Sequence, residues 1–165
     1  MEAKRVRGTQ DLDRLLVKLD GLSDLEIEQK GRDLYNRLYM TSNQSGVFQA
    51  HDGEKVYFWK RRFNHAFFVS PQKLKIDKAR VERIKWIAEF IAGNEPSSEC
   101  WLIPEPGNPT KRLYASFARG YLVWLERRAT TDDWKFSTAY NARGEKIRSY
   151  VKRKGAKRIW KYGQR

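Results

Sequence analysis

The sequence predicts an α+β protein in which N-terminal helices pack with a small antiparallel β-sheet and a basic segment closes the chain. Three observations carry that expectation. Leucines recur at helical spacing through the first forty residues, strand-like runs crowd the stretch from Gly46 to Tyr140 around one helical interval, and cations dominate the last 25 residues. At 165 residues, with eight Phe, eight Tyr and six Trp in a 40% hydrophobic composition, the chain is long and apolar enough to bury a core. The expected division is a helical segment, 1–45, and an α+β domain, 46–165, that includes the basic end.

Leu12, Leu15, Leu16, Leu19 and Leu22 follow Thr9 as a cap, with Asp11 and Asp13 in the first turn and Gly21 near the end, so a helix is expected over Thr9 to Leu22. Ser23 and Glu26 have capping-box spacing for a second helix that turns Leu25, Leu34, Tyr35 and Leu38 inward until "TSNQSG" stops it. "GVFQAHDGEKVYFWK" reads as a hairpin around Asp52-Gly53, with His51 beside the turn. "RRFNHAFFVSPQ", 61–72, reads as extended chain at a sheet edge, where alternation sets His65 on the face opposite Asn64 and Ala66.

Asp77 is the expected cap of a helix running to about Ala92, with Val81, Ile84, Ile87, Ala88 and Ile91 inward and Lys78, Arg80, Arg83 and Lys85 outward. "IPEPGNPTK" reads as an exposed loop. "RLYASF", "YLVWLERR" and "DWKFSTAY" then form an antiparallel meander. On its last strand, Lys135, Ser137 and Ala139 are expected on one face and Phe136, Thr138 and Tyr140 on the other. If the Phe136 face packs on a helix, Ser137 is exposed, and a twist or bulge near the strand end would bring Thr138 and Tyr140 to a common mouth; the register stays open.

Charge narrows the function. Lys plus Arg is 34 against 20 for Asp plus Glu, a net of +14 with pI about 10.0, which favours nucleic acid as partner and an anionic membrane surface second. From Asn141 to Arg165 there are ten Lys or Arg and one acid, Glu145. Ile147, Tyr150, Val151, Ile159, Trp160 and Tyr162 interrupt that run, which suggests an ordered surface rather than a solvated arm.

The one cysteine, Cys100, excludes an intramolecular disulfide framework, and two histidines offer no zinc pattern, so a cytoplasmic protein without metal or other cofactor is expected. No signal-peptide region opens the chain, and no apolar run approaches the roughly 18 residues a membrane span needs. Membrane insertion is not expected. P-loop, G-x-G-x-x-G and G-x-S-x-G patterns are missing, and the acids form no two-metal pattern.

RNA cleavage without a metal uses the substrate's own 2′-hydroxyl, and the protein must take its proton, stabilise charge on phosphorus and protonate the leaving 5′-oxygen. His65 suits proton transfer: an imidazole titrates near 6.5, and Arg61 and Arg62 beside it favour the neutral, basic form.

"FNHAFFVS", "DKARVERIKWIAEFI" and the strand series ending in "WKFSTAYN" together resemble the phage-encoded nucleases of the barnase, EndoU, colicin and RelE-like fold, over about residues 47 to 150. The resemblance implies a sheet whose open face binds RNA and cleaves it without metal, leaving a 2′,3′-cyclic phosphate and a 5′-hydroxyl. It implies His65 as the family's histidine, Arg80 or Arg83 as the basic group after it, and Thr138 with Tyr140 as the polar end of the late strand. Ser137 joins them as an orienting hydroxyl. Arg61, Arg62, Lys135, Arg143, Lys146, Arg148, Lys152 and Arg153 are the expected substrate-binding cations. The resemblance further implies RNA over DNA, a phage-derived toxin acting in host cytoplasm, and an acidic inhibitor protein as partner. Two other readings stand beside it: a non-catalytic nucleic-acid-binding module on whose tail Trp160 or Tyr162 stacks bases, and an assembly protein using the helical pair from 9 to 40.

Overall fold

A computed structural model describes residues 11–69, 72, 74–128 and 130–164. A turn of 3-10 helix at Leu12–Leu15 precedes α1 (Asp24–Tyr39) and the hairpin of β1 (Ser45–Gln49) and β2 (Lys55–Trp59). Next come α2 (Arg62–Phe67), the short pair β3 (Phe68–Val69) and β4 (Lys75–Ile76), then α3 (Lys78–Glu82) and α4 (Trp86–Ile91). Strands β5 (Glu99–Glu105), β6 (Asn108–Ser116), β7 (Tyr121–Arg127) and β8 (Trp134–Asn141) follow, and α5 (Gly144–Val151) and β9 (Lys157–Lys161) end the described chain. The fold is α+β, built on a seven-stranded sheet ordered β1-β2-β8-β7-β6-β5-β9. Only the β2–β8 pairing, Val56 with Trp134 and Tyr57 with Lys135, is parallel.

One face of this sheet meets the helices. Phe58 stacks between Tyr39 of α1, at 4.4 Å, and Phe136 of β8, at 4.9 Å, and Phe63 and Phe67 of α2 join the same cluster. On the other face Leu113, Leu122 and Trp124 pack against Ile147 of α5. Removal of these large apolar groups from water is the main favourable term for both layers.

The capping box forms: Ser23 Oγ accepts from Glu26 N at 3.2 Å, and the Glu26 carboxylate accepts from Ser23 N at 2.7 Å. Leu25 does not turn inward; it is exposed, and Ile27, Leu34, Tyr35 and Tyr39 form the buried face of α1. The Asp52-Gly53 hairpin also forms, with Val47 opposite Tyr57 and Gly53 at φ 84°.

Four elements depart from expectation, each for a tertiary reason. The leucine-spaced N-terminal segment makes one 3-10 turn and then runs extended, because tertiary partners take its backbone groups: Val17 N donates to Glu82 O at 2.9 Å, and Leu12 O accepts from Trp86 Nε1 at 2.9 Å. Thr9, its expected cap, lies outside the described residues. The stretch from Arg62 to Phe67 is helical rather than extended, and Phe63, Ala66 and Phe67, spaced i, i+3 and i+4, are its buried side. Asn64 and His65 are therefore both exposed, not on opposite faces.

The helix expected from Asp77 to Ala92 is broken between Glu82 and Trp86. Tyr39 Oη donates to Ile84 O at 2.5 Å and accepts from Ala88 N at 3.1 Å, so a hydroxyl stands where an i to i+4 bond would close. "IPEPGNPTK" is mostly strand, turning tightly at Pro106-Gly107, where Gly107 takes φ 73°. Pro104 sits at the register shift between Ile103 and Glu105, where the ladder requires no N–H from it.

The basic end is ordered as α5 and as β9, which covers the free edge of β5. Among the described residues no helix is long and apolar enough to cross a membrane.

Gly46 marks where β1 lies directly on the end of α1: a Cβ there would be 1.6 Å from Tyr39 O. The obstacle is backbone, so no side chain can step aside. Gly46→Ala is expected to lose about 3 kcal/mol or more of stability in urea unfolding, or to yield no folded protein.

Candidate functional site

The site begins with an irregularity in β8. Trp124 of β7 faces Thr138 while the next residue, Leu125, faces Phe136, so Ser137 is surplus in the pairing. A bulge breaks the two-residue alternation. Trp134, Phe136 and Ala139 consequently all enter the core, whereas Lys135, Thr138 and Tyr140 reach the clefts on the other side. Of the expected faces, Lys135 and Ser137 stay together beside Glu126, but Ala139 joins Phe136 in the core, and the bulge brings Thr138 and Tyr140 away from Phe136 to a common cleft. Ser137 itself is buried rather than exposed.

Arg62 of α2 satisfies the bulge. Its Nε donates to Ser137 O and its Nη2 to Ser137 Oγ, both at 2.7 Å, and the Ser137 hydroxyl donates to Glu126 Oε1 at 3.0 Å. Glu126 also lies 3.6 Å from Arg62 and 3.5 Å from Lys135. Burial pushes the Glu126 carboxyl upward, but the Ser137 hydroxyl and the Arg62, Lys135 and Lys111 cations outweigh it and hold the group below the usual carboxylate range.

His65 and Arg62 stand between two concave surfaces. The first, of about 510 Å³, brings His65 together with Ser137, Thr138 and Tyr140 of β8 and with Glu126. On its far side Glu105 holds Lys111 at 3.1 Å and Arg153 at 3.5 Å. Tyr140 Oη lies 3.0 Å from Tyr150 Oη and accepts from Trp124 Nε1 at 3.4 Å. Burial, then the hydrogen bond with Tyr140, pushes the Tyr150 phenol up to about 12. The second cleft, of about 370 Å³, shares His65 and Arg62 and adds Arg61, Arg128, Lys135 and Trp59. Its described lining contains no carboxylate.

The remaining expected residues lie elsewhere. Arg80 lines neither cleft: its Nη1 donates to Ala66 O at 2.9 Å, its Nε is 3.3 Å from the Asp77 carboxylate, and its guanidinium lies 5.1 Å from the centre of the Tyr140 ring. Arg83 also lines neither cleft, donating to Ala79 O at 3.0 Å and lying over the Trp86 ring at 5.2 Å. Arg143, Lys146, Arg148 and Lys152 are exposed on and beside α5, outside both clefts. Trp160 packs on His51 at 4.7 Å, and Tyr162 is exposed.

Glu105, Lys111, Glu126, Arg128 and Tyr150 were not anticipated. Glu126 stands opposite Lys135 in the β7–β8 register, an opposite-charge cross-strand pair that only the register makes visible. His51 is no bare turn residue either. Its Nδ1 is 2.7 Å from Tyr114 Oη, beside buried Arg112, whose Nη2 donates to Asp52 and Glu54 at 3.0 Å each. Burial holds the His51 imidazole below its usual value.

Among the described residues no group of three or more His, Cys, Asp or Glu is placed to hold a metal ion. Comparison of the chain with protein-family models, curated proteins and solved structures finds no match.

Glu126 gives the cleft a pH signature. Its folded-state pKa lies below the ordinary value near 4.3. The ionised form thus contributes stability that is fully present above that value and is lost as pH falls through the lowered one. Glu126→Gln is expected to be about 1–2 kcal/mol less stable than wild type at pH 7, with the gap narrowing as urea titrations are repeated from pH 5 down to pH 2.

Proposed function

We propose that the chain is a metal-independent endoribonuclease that cuts RNA by attack of a 2′-hydroxyl on the adjacent phosphate. The observation that carries this reading is the single cleft shared by His65, Arg62, Thr138 and Tyr140: an imidazole, a guanidinium and hydroxyls on one concave surface. These are the groups that such a reaction requires.

In the proposed step, neutral His65 takes the 2′-hydroxyl proton as the bond from O2′ to phosphorus forms. Arg62 offsets the charge that gathers on the phosphorane oxygens. Its two bonds to Ser137 hold it in place before the substrate arrives, so the reaction need not reorganise it. The bond from phosphorus to O5′ breaks as that oxygen receives a proton from the Tyr140 hydroxyl, which is linked to Tyr150, while Thr138 orients the phosphate. Glu126 is a positioning residue in this scheme. A carboxylate held below its usual range is a weak base and a durable acceptor, suited to fixing Arg62 and Lys135.

Binding falls to the cations. Arg61, Arg128 and Lys135 line the second cleft beside His65, and Arg143, Lys146, Arg148 and Lys152 add exposed positive charge on and beside α5, outside both clefts. An acidic inhibitor protein is the partner that would complement the same surface, as a phage-derived toxin acting in host cytoplasm requires.

Purified protein is expected to cut single-stranded RNA in the presence of chelator and to leave 2′,3′-cyclic phosphate ends. His65→Ala should lower the rate at least about a hundredfold while RNA affinity stays within about twofold. Equal cutting by the variant removes His65 from the mechanism. Salt-sensitive RNA binding by wild type with no cleavage selects the non-catalytic binding module instead.

A further inference from the structure

Four cations, Arg61, Arg62, Arg128 and Lys135, surround the second cleft with His65, and Trp59 is the aromatic residue at its wall beside Phe136. Strand β2 buries Val56 and Phe58 and leaves Tyr57 and Trp59 half-buried on the outer face. The two outer rings are nearly parallel, 18° apart in plane with centroids 6.3 Å apart. Arg128 lies over both, 4.2 Å from the Tyr57 centroid and 5.7 Å from that of Trp59, and Arg61 lies 6.0 Å from Trp59. Among the described residues neither Arg61 nor Arg128 has a carboxylate within ion-pair distance. Arg62 and Lys135 share Glu126, at 3.6 and 3.5 Å, so the cluster combines flat apolar faces with two cations, Arg61 and Arg128, whose charge no carboxylate offsets until an anion arrives.

We infer that Tyr57 and Trp59 form a stacking platform for an unpaired base of single-stranded nucleic acid, whose phosphates run along Arg61, Arg128 and Lys135 towards His65. The inference rests on the nucleic-acid reading of the cleft and adds the substrate class: a strand with free base faces. A base within a duplex is already stacked on both sides and has no face to offer the rings, whereas a single strand presents one at every nucleotide. Arg128 can close on the other side of the bound base, because it already lies against the rings that the base would cover.

The test uses three labelled oligomers of equal length that the protein cannot cut: a 2′-O-methyl single strand, an abasic strand with the same phosphates, and a duplex. Fluorescence anisotropy on the full chain is expected to show tightest binding to the base-bearing single strand. Trp59→Ala should weaken that complex about tenfold and leave the abasic complex unchanged, and Trp59→Phe should restore most of the loss. The substitution spares the core, because the bond from Tyr35 Oη at 2.8 Å goes to the Trp59 carbonyl rather than to its ring.

Unchanged affinity of Trp59→Ala for the base-bearing strand overturns the platform, as does wild-type binding of the abasic strand with equal strength. Failure of every oligomer to bind overturns the platform and the nucleic-acid reading together. Trp59-dependent binding by a chain that cuts no RNA supports the platform and overturns the nuclease reading alone.

Discussion

A single surplus residue in β8 governs both the packing and the cleft. Without the bulge at Ser137, strict alternation from Phe136 would send Thr138 and Tyr140 into the core and turn Ala139 outward. With it, Trp134, Phe136 and Ala139 enter the core while Lys135, Ser137, Thr138 and Tyr140 of the same strand line the clefts. A bulge leaves polar groups that the ladder does not pair, and here Arg62 takes both the carbonyl and the hydroxyl of Ser137. Charge-assisted bonds of this kind contribute about 1.5–3 kcal/mol each. They also fix where α2 sits against the sheet, and therefore where His65 stands. The irregular strand, the short helix and the guanidinium between them form one constraint, and Glu126 supplies the counter-charge that lets Arg62 stay half-buried.

Elements set by neighbouring residues were legible in the sequence. The Ser23 capping box and the Asp52-Gly53 hairpin require partners only three or four residues away, and both form. Elements settled by distant residues were not. The chain from Arg62 to Phe67 fits either a strand or a helix by composition, and the helix prevails because Phe63 and Phe67 both find Tyr35 of α1. The break near Ile84 depends on a hydroxyl more than forty positions earlier in the chain. At the candidate site, His65, Thr138 and Tyr140 could be named because their residue types suggest chemistry. Glu126 and Tyr150 could not, since their importance comes from what the register sets beside them. Arg80 looked like surface charge on a long helix, but α3 is too short to keep it there, and it turns to cap the end of α2 through Ala66 O.

The two histidines occupy different environments, one half-buried and one exposed. His51 is held by Tyr114, covered by Trp160, and bordered by an arginine whose side chain is 4% exposed. Arg112 is balanced by Asp52 and Glu54, and Glu54 accepts in turn from Trp134 Nε1, so the network ties the β1–β2 turn to β6 and β8. A buried charge of this kind is tolerated only while its partners persist, which makes the network a fastening between hairpin and sheet. Contacts from β9 complete it, since Trp160 comes from the strand that closes the β5 edge. His65, by contrast, is exposed on a ridge with a cleft on either side.

The unequal charge of those clefts bears on where a polyanion would lie. In the first, Glu105 and Glu126 hold Lys111, Arg153 and Arg62, so much of the positive potential is spent inside the protein. In the second, Arg61 and Arg128 lean on aromatic rings, which attract a cation without cancelling its charge. Long-range attraction for phosphate is consequently strongest beside His65 rather than beneath it. Under the proposed function this separates two tasks: the cationic cleft collects the strand and is weakened by salt, whereas the carboxylate-bound cleft holds its donors by short contacts that salt screens far less. A cleft lined by cations alone could not hold Arg62 in one orientation, because the acceptors that orient it are Ser137 and Glu126. The acids in a chain of net charge +14 thus define the geometry of the cleft, and under the proposed function the excess cations draw the strand to it.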